Sequence, residues 1–128
     1  DLAEFRRGYL VTIPGHAAGK INAPCEYLCA ELAAAFPRQL VHLKQALSRV
    51  VDVPKSSKVP ADERPTYADH YNSISYTNSQ RISPHERIIL VDDVLTQGAT
   101  SSACRDILRQ ATGCKNVLGF FVAKTEWR

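Results

Sequence analysis

Two adjacent carboxylates and a nearby run of small and hydroxyl residues are the groups in this chain best suited to chemistry. Asp92 and Asp93 come directly after the apolar run Ile88–Val91, and the segment Thr96–Thr100 follows two apolar residues later. Ionised carboxylates accept hydrogen bonds and could hold ligand hydroxyls or serve a bound metal ion. The small residues predict a turn that opens a helix, whose free N–H groups attract anions. The segment therefore predicts a site for a ligand with an anionic group and hydroxyls.

Short apolar runs predict the sheet that would position these groups. Ile88–Val91 is typical of a buried parallel strand, and ligands of open α/β sheets bind beyond the carboxyl ends of such strands. Tyr9–Ile13 and Asn116–Ala123 are further strand candidates, and Ser101–Ala111 has helical spacing. Strand, helix and strand in close succession imply a βαβ unit. We therefore expect an α/β fold: a single domain with a central, mainly parallel sheet of about four or five strands, flanked by helices on both faces.

The rest of the chain predicts the elements around that sheet. Asn22 is expected to cap a helix over Ala23–Phe36, and Gly113 to end the later helix in a left-handed conformation. Leu40–Val53 is expected to form a short helix followed by a strand, because its leucines recur at helical spacing and Arg49–Val53 could be a strand. Tyr67–Ile82 is expected to form a helical turn and then an irregular or strand-like segment.

Length and composition narrow the functional classes. The chain has 128 residues, the size of one domain, and its apolar fraction of 45% is ordinary for a globular protein. No apolar run approaches the roughly 20 residues that a membrane span needs, so no membrane partner is expected. The net charge of +3 favours anionic ligands, but there is no dense Lys/Arg stripe of the kind that binds nucleic acid.

The cysteines and the first residue bear on the cellular setting. The four cysteines do not follow a zinc-binding spacing, which favours free thiols in a reducing compartment and a cytoplasmic location. The chain contains no Met and begins at Asp1, so it could be a processed piece or a domain taken from a longer polypeptide.

Three interpretations of the segment Ile88–Thr100 compete. In the first, it is a core strand whose acids merely cap a helix. In the second, it belongs to a phospho-acceptor receiver domain, whose first strand also ends in an acidic pair. Such a domain needs most of its strands after that pair, whereas only Val94–Arg128 follow here, which disfavours it. In the third, the segment binds a phosphoribosyl group.

The third interpretation is supported by a contiguous motif. The run I-I-L-V-D-D-V-L-T-Q-G-A-T closely resembles the 5-phosphoribosyl-1-pyrophosphate (PRPP) motif of type I phosphoribosyltransferases. That family motif has four apolar residues, two acids, two more apolar residues and a turn rich in Thr and Gly. The flanking sequence looks more like the competence-associated ComF-like group, which carries V-D-D-V-L-T-T-G-A-T before a helix start rich in Ser, Ala and Cys. The resemblance implies a type I phosphoribosyltransferase-like fold that binds PRPP.

By position, the resemblance assigns a role to each residue of the motif. Asp92 and Asp93 would hold the ribose 2- and 3-hydroxyls. Five residues would wrap the 5-phosphate: Thr96, Gln97, Gly98, Ala99 and Thr100. In the purine-salvage branch of the family an acid stands at the position of Thr96 and helps move a proton of the purine base. Because Thr96 cannot do this, purine salvage is disfavoured.

A second half-site would bind the pyrophosphate group. Type I enzymes use a loop after an early strand for this purpose, and Pro14–Lys20 has the right place in the order. Its candidate ligands are Gly15, His16 and Lys20. The following G-K-I-N-A resembles the closing piece of the ComF-like loop, although this loop is far less basic. An ordinary strand-to-helix connection is the alternative.

The proline-broken segment Lys55–Arg64 corresponds in order to the family's mobile loop, which closes over the transition state. Arg64, together with Lys55 and Lys58, could meet the departing pyrophosphate. His70, just beyond this segment, is a candidate general base. Arg64 and His70 are therefore the predicted catalytic residues.

The resemblance implies transfer of phosphoribosyl from PRPP to a nitrogen nucleophile, with release of pyrophosphate. Mg²⁺ would be the cofactor, carried mainly by PRPP rather than by a metal site of the protein. The acceptor is not identified. A non-catalytic domain that senses PRPP or a phosphoribosyl nucleotide is the alternative, because little chain remains for the element with which family enzymes select a base. The expected partners are a second copy of the chain, forming a homodimer, or an attached domain.

Overall fold

The computed structural model describes residues 7–54, 59–78, 80–95 and 98–124, and the statements below concern those residues. In chain order the strands and helices are β1 (Gly8–Thr12), α1 (Ala23–Ala35), β2 (Leu40–His42), β3 (Leu47–Arg49), α2 (Tyr67–Ser73), β4 (Ile74–Tyr76), β5 (Arg87–Leu95), α3 (Ala99–Thr112) and β6 (Asn116–Lys124). A 3₁₀ turn, Ala61–Glu63, precedes α2.

Two sheets form among the described residues. The larger is four-stranded, with the order β2-β1-β5-β6, and each neighbouring pair in it is parallel. The smaller is an antiparallel ribbon of β3 and β4, in which Leu47 pairs with Tyr76. This confirms the predicted α/β class, the mainly parallel sheet and the parallel β5–α3–β6 unit.

Helices cover both faces of the larger sheet, because its strands alternate apolar side chains between two cores. Tyr9 and Val11 of β1 lie in one core with Leu108 of α3. Leu10, between them in sequence, lies in the other core with Cys29 of α1. The side-chain period of two in a strand produces this division. The predicted arrangement of helices on both faces is confirmed.

The described helices and cysteines agree with two further sequence expectations. Cys25, Cys29, Cys104 and Cys114 are free and buried. Gly113 ends α3 with a φ of 75°, and its N–H is bonded to the carbonyl of Arg109. Across the described part of the chain, every helix is too short or too polar to cross a bilayer.

The helix predicted within Leu40–Val53 is wrong. The structure instead has β2, a turn and then β3, which ends at Arg49 rather than at Val53. Gln45, with a φ of 52°, stands in the turn, where a left-handed residue interrupts a helix. Leu43, directly after β2, and Leu47, at the start of β3, are buried in the same core, so leucines at this spacing can share a core without a helix.

The boundaries around the acidic pair also differ from the prediction. β5 does not end at Val91 but continues through Asp92 and Asp93 to Leu95, because β6 pairs with it throughout this extension. β1, the neighbour on the other side, pairs with β5 only as far as Val91. The acids therefore lie beyond the carboxyl end of β1 while still in an extended strand. α3 begins at Ala99, earlier than predicted.

Candidate functional site

The end of β5 lies against the start of α1. Asn22 donates a hydrogen bond from Nδ2 to Oδ1 of Asp92 over 3.4 Å. Its own Oδ1 accepts a hydrogen bond from the N–H of Cys25, also over 3.4 Å, and so caps α1 as predicted. Asn22 thus links the first helix to the first acid of the motif.

The two contacts of Asn22 can be separated by mutation. Asn22→Ala is expected to lower the free energy of unfolding by about 1 kcal/mol, since a helix cap is lost. Asn22→Ser keeps a capping hydroxyl but is too short to reach Asp92, so it should restore most of that loss. Chemical denaturation of both variants measures the difference. A Ser variant as unstable as the Ala variant would assign the loss to the Asp92 contact instead.

The loop Pro14–Lys20 is fastened to the chain that follows β3. The N–H of Gly19 donates to the carbonyl of Arg49 over 3.1 Å, and Gly19 has a φ of 76° that favours glycine. The N–H of Ala18 donates to Oδ1 of Asp52 over 2.6 Å. Of the predicted pyrophosphate ligands, Gly15 is partly buried, whereas His16 and Lys20 are exposed. The backbone of the loop is therefore held by hydrogen bonds, while the side chains of His16 and Lys20 are exposed to solvent.

Arg49 is a buried cation that the sequence analysis did not select. It is 3% exposed and donates hydrogen bonds to three neutral groups. Nε donates to the carbonyl of Gly15 over 2.8 Å, and Nη1 donates to Oγ of Ser73 over 2.5 Å and to Nδ1 of His70 over 3.3 Å. Burial lowers the pKa of Arg49 from its usual value. This side chain joins the loop after β1 to α2.

His70 is the next member of the same network. It lies on α2, is 3% exposed and has both ring nitrogens in contact with other side chains. Nε2 lies 3.0 Å from Oγ1 of Thr100 in the first turn of α3. Burial, and then the Arg49 charge, lower the pKa of His70 to about 4, so the imidazole is neutral near pH 7.

Local sequence signals explain where α2 begins. Thr66 and Asp69 form a reciprocal capping box: each side chain bonds the backbone N–H of the other, over 3.2 and 2.8 Å. His70 directly follows Asp69 of the capping box and lies on the buried side of the helix. The sequence holds one signal for the burial of Arg49. It stands two residues after the apolar Leu47, and in a strand that spacing puts both side chains on the same face.

Cys104 connects the acidic pair to this network electrostatically. It is fully buried in α3, and burial raises the pKa of its thiol to about 12. Arg49 opposes that rise and Asp92 adds to it, so both charges act on the same interior position. The thiol therefore stays protonated and has none of the thiolate character that a nucleophile needs.

The remaining predicted residues divide between described and undescribed positions. Gly98 is exposed and caps α3, and Thr100 contacts His70 as given above. Arg64 is exposed, and no hydrogen bond among the described residues joins it to Arg49 or His70. The positions outside the described residues are Thr96, Gln97, Lys55, Lys58 and the side chain of Asp93.

A cavity of about 110 Å³ lies beside Asn22, with Thr12, Lys20 and Glu26 among its lining residues. It has room for several water molecules. Oε1 of Glu26 accepts hydrogen bonds from Nε2 of His42 over 3.0 Å and from the N–H of Gln45 over 3.1 Å. Oε2 of Glu26 is buried and has no partner among the described groups.

Over residues 7–54, 59–78, 80–95 and 98–124, no group of three or more His, Cys, Asp or Glu side chains could hold a metal ion. Comparisons with protein-family models, with curated proteins and with solved structures gave no match. The function must therefore be inferred from the residues and their geometry.

Proposed function

We propose that this protein binds PRPP and transfers its phosphoribosyl group to a nitrogen nucleophile, releasing pyrophosphate, on a type I phosphoribosyltransferase-like fold. The observation that carries the proposal is the position of the motif I-I-L-V-D-D-V-L-T-Q-G-A-T in the sheet. Its apolar part lies in a central parallel strand, its acids lie past the end of β1, and its last residues open α3. Ligands of open α/β sheets bind at such strand ends.

The acids suit the ribose and the helix start suits the phosphate. Ionised Asp92 and Asp93 would accept hydrogen bonds from the vicinal hydroxyls, and Asn22 would fix the orientation of Asp92. Gly98 and Ala99 begin α3, where unpaired N–H groups and the helix dipole favour a dianion. Among the described residues, a Cβ at Gly98 would meet only Oγ of Ser102, at 3.9 Å, so those residues leave the approach open.

Pyrophosphate would occupy the loop after β1. The loop backbone is fastened by the contacts of Gly15 and Ala18, and the exposed tips of His16 and Lys20 are available to an anion. Arg64, which is exposed, is proposed to contact the departing group. The two exposed side chains of His16 and Lys20 offer few contacts to pyrophosphate. Most of the negative charge of pyrophosphate would therefore have to be neutralised by a bound cation.

Mg²⁺ is the proposed cofactor. Asp92 and Asp93 are hard oxygen ligands of the type that Mg²⁺ prefers, and the ion commonly relies on substrate phosphates for its other ligands. The ion would be held mainly by PRPP. Bound in this way, it would neutralise charge on the pyrophosphate.

In the transfer, the lone pair of the acceptor nitrogen forms a bond to ribose C1 while the bond from C1 to pyrophosphate oxygen breaks. The electron pair of that bond leaves with pyrophosphate, and the nitrogen then loses a proton. The residues of the protein position the two reactants and stabilise charge, so no covalent nucleophile is required. The buried, protonated thiol of Cys104 is consistent with this.

The second candidate is a domain that senses PRPP without turning it over. It is favoured by the small number of basic groups on the loop Pro14–Lys20 and by the modest size of the structure beyond the sheet. In the described residues, that structure comprises α2, the 3₁₀ turn and the β3–β4 ribbon. Both candidates use the same ribose 5-phosphate site and a cytoplasmic ligand.

Turnover distinguishes the two candidates. The wild-type protein is incubated with PRPP, Mg²⁺ and a panel of amines and nucleobases, and pyrophosphate release is measured. The enzyme proposal expects release that depends on one class of nitrogen acceptor. PRPP binding without release by any acceptor would reject the enzyme and support the sensor, and the absence of PRPP binding would reject both.

A further inference from the structure

We propose that Arg49 and His70 are positioning residues that aim the hydroxyl hydrogen of Thr100 at the phosphate of the bound ligand. This inference rests on the proposed function, because it assigns a partner to the phosphate at the start of α3. It adds two residues that the motif does not contain. They act through Thr100 and do not themselves touch the ligand.

The hydrogen-bonding capacities of the three side chains fix the direction of the relay. A guanidinium can only donate, so Nδ1 of His70, 3.3 Å from Nη1 of Arg49, must accept. A neutral imidazole that accepts at Nδ1 carries its hydrogen on Nε2. Nε2 therefore donates to Oγ1 of Thr100, which lies 3.0 Å away. The hydroxyl hydrogen of Thr100 is then left to donate elsewhere.

The position of Thr100 determines what its hydroxyl can serve. Thr100 is the second residue of α3, so it belongs to the turn whose backbone N–H groups are directed toward an anion. A hydroxyl hydrogen that cannot be given to His70 is a suitable additional donor to a phosphate oxygen. The Arg49 charge polarises the relay in the same direction, because it withdraws electron density from the imidazole.

The relay also gives a reason for burying Arg49. Burying a guanidinium that is 3% exposed carries a desolvation penalty, and its hydrogen bonds to described residues end on Gly15, His70 and Ser73, which are neutral. A phosphate dianion beside Thr100 would contribute opposite charge at the far end of the chain of hydrogen bonds. Through Gly15 the same guanidinium holds the loop proposed for pyrophosphate, so one side chain supports both half-sites.

The relay requires a neutral His70, and the charged groups around it favour that state. Burial is the largest cause that lowers the pKa of His70, Arg49 from β3 lowers it further, and Asp69, its neighbour on α2, raises it to a smaller extent. Ser73 on α2 and Thr100 on α3 are uncharged polar neighbours. The resulting pKa is about 4, so the Nε2–H form persists at neutral pH.

These assignments disfavour His70 as the general base that the sequence suggested. A base needs a lone pair directed at the proton it removes, and the lone pair on Nδ1 is already engaged by Arg49. His70 would instead affect ligand binding by holding Thr100 in one orientation. The two roles give different results when His70 and Thr100 are changed together.

A double-mutant cycle tests the relay, with ribose 5-phosphate as the probe because it lacks pyrophosphate. Dissociation constants are measured by calorimetry for wild type, His70→Phe, Thr100→Val and the double variant. Each single variant is expected to bind about tenfold more weakly, the usual effect of one hydrogen bond to a charged group. The double variant should bind no more weakly than Thr100→Val. Independent, multiplying losses would overturn the relay while leaving the phosphate site in place.

Two conservative variants sharpen the cycle. His70→Gln offers a carbonyl to Arg49 and an N–H to Thr100, so it should recover most of the affinity, which a purely steric role would not explain. His85→Phe is the matched control, because His85 is exposed on a turn away from the network. It should bind ribose 5-phosphate as wild type does.

A spectroscopic measurement on the wild-type protein covers the case in which His70→Phe fails to fold. Nitrogen NMR of the histidine rings near pH 7 should show His70 as the neutral Nε2–H tautomer. The Nδ1–H tautomer, or a doubly protonated ring, would overturn the relay regardless of ligand. If wild type binds no ribose 5-phosphate at all, the proposed function fails, and the relay has no phosphate to serve.

Discussion

Replacing both Asp92 and Asp93 with Asn is expected to abolish PRPP binding and leave the fold intact. A hydrogen bond to a charged group contributes about 1.5–3 kcal/mol, so losing two of them should weaken binding by at least about 100-fold. Removing two negative charges would by itself favour an anionic ligand. A large loss would therefore point to direct contacts of the two carboxylates with the bound ligand rather than to the overall charge.

Calorimetric titration of PRPP with Mg²⁺ measures this effect, and thermal unfolding checks the fold. Glu31→Gln is a charge control, because Glu31 is exposed on α1, away from the end of β5. It should bind PRPP as wild type does. If the folded Asp92→Asn, Asp93→Asn protein bound PRPP normally, the ribose site would be wrongly assigned.

Gly98→Val is expected to abolish binding of the 5-phosphate while hardly changing stability. Among the described residues, a Cβ at this position meets only Oγ of Ser102, at 3.9 Å, and the φ of −78° suits any residue. The cost to the helix cap should stay below about 1 kcal/mol. A branched side chain would occupy the space where the phosphate meets the start of α3. We expect at least about 100-fold weaker binding of ribose 5-phosphate, measured by calorimetry.

Gly113→Val is the matched control for this variant, because it should lower stability and leave ligand affinity unchanged. Gly113 has a φ of 75° at the far end of α3, a conformation that costs a side chain about 1–2 kcal/mol. Its free energy of unfolding should fall, and its affinity for ribose 5-phosphate should not change. Equal losses of affinity in both variants would show that Gly98 acts through the stability of α3 rather than by contact with the ligand.

The elements that could be predicted from the sequence are those with an apolar run, helical spacing or a capping residue of their own. The apolar run of β5, the helix α3 with Gly113 after it, and the helix α1 with Asn22 before it all carry local signals of their own. β6 was predicted for the same reason. Together these elements define the α/β class and the strand end at which the candidate site lies.

The errors came from segments whose structure depends on partners distant in sequence. Leu40–Val53 has leucines at helical spacing, but Leu40 pairs with Gly8 of β1 and Leu47 pairs with Tyr76 of β4. The extension of β5 through Asp92 could not be predicted from its polar residues, because β6 pairs with it there. Long-range pairing of this kind overrides local propensity.

The burial of Arg49 was not predicted, because Arg49 stands at the start of the expected strand Arg49–Val53. In the structure it ends β3 and shares a face with the buried Leu47. His70 was selected for its chemistry, but its neighbours were not predictable. Only the packing of α2 against α3 and β3 brings Thr100 and Arg49 to its two ring nitrogens.

The most direct test of the central claim is the affinity of the wild-type protein for ribose 5-phosphate, compared by calorimetry with that for ribose and for inorganic phosphate. Because the proposed site holds the hydroxyls at Asp92 and Asp93 and the phosphate at the start of α3, ribose 5-phosphate should bind at least about 100-fold more tightly than either part. Asp92→Asn with Asp93→Asn should remove that advantage. Equal affinity for ribose 5-phosphate and inorganic phosphate, or no binding at millimolar concentration, would contradict the account.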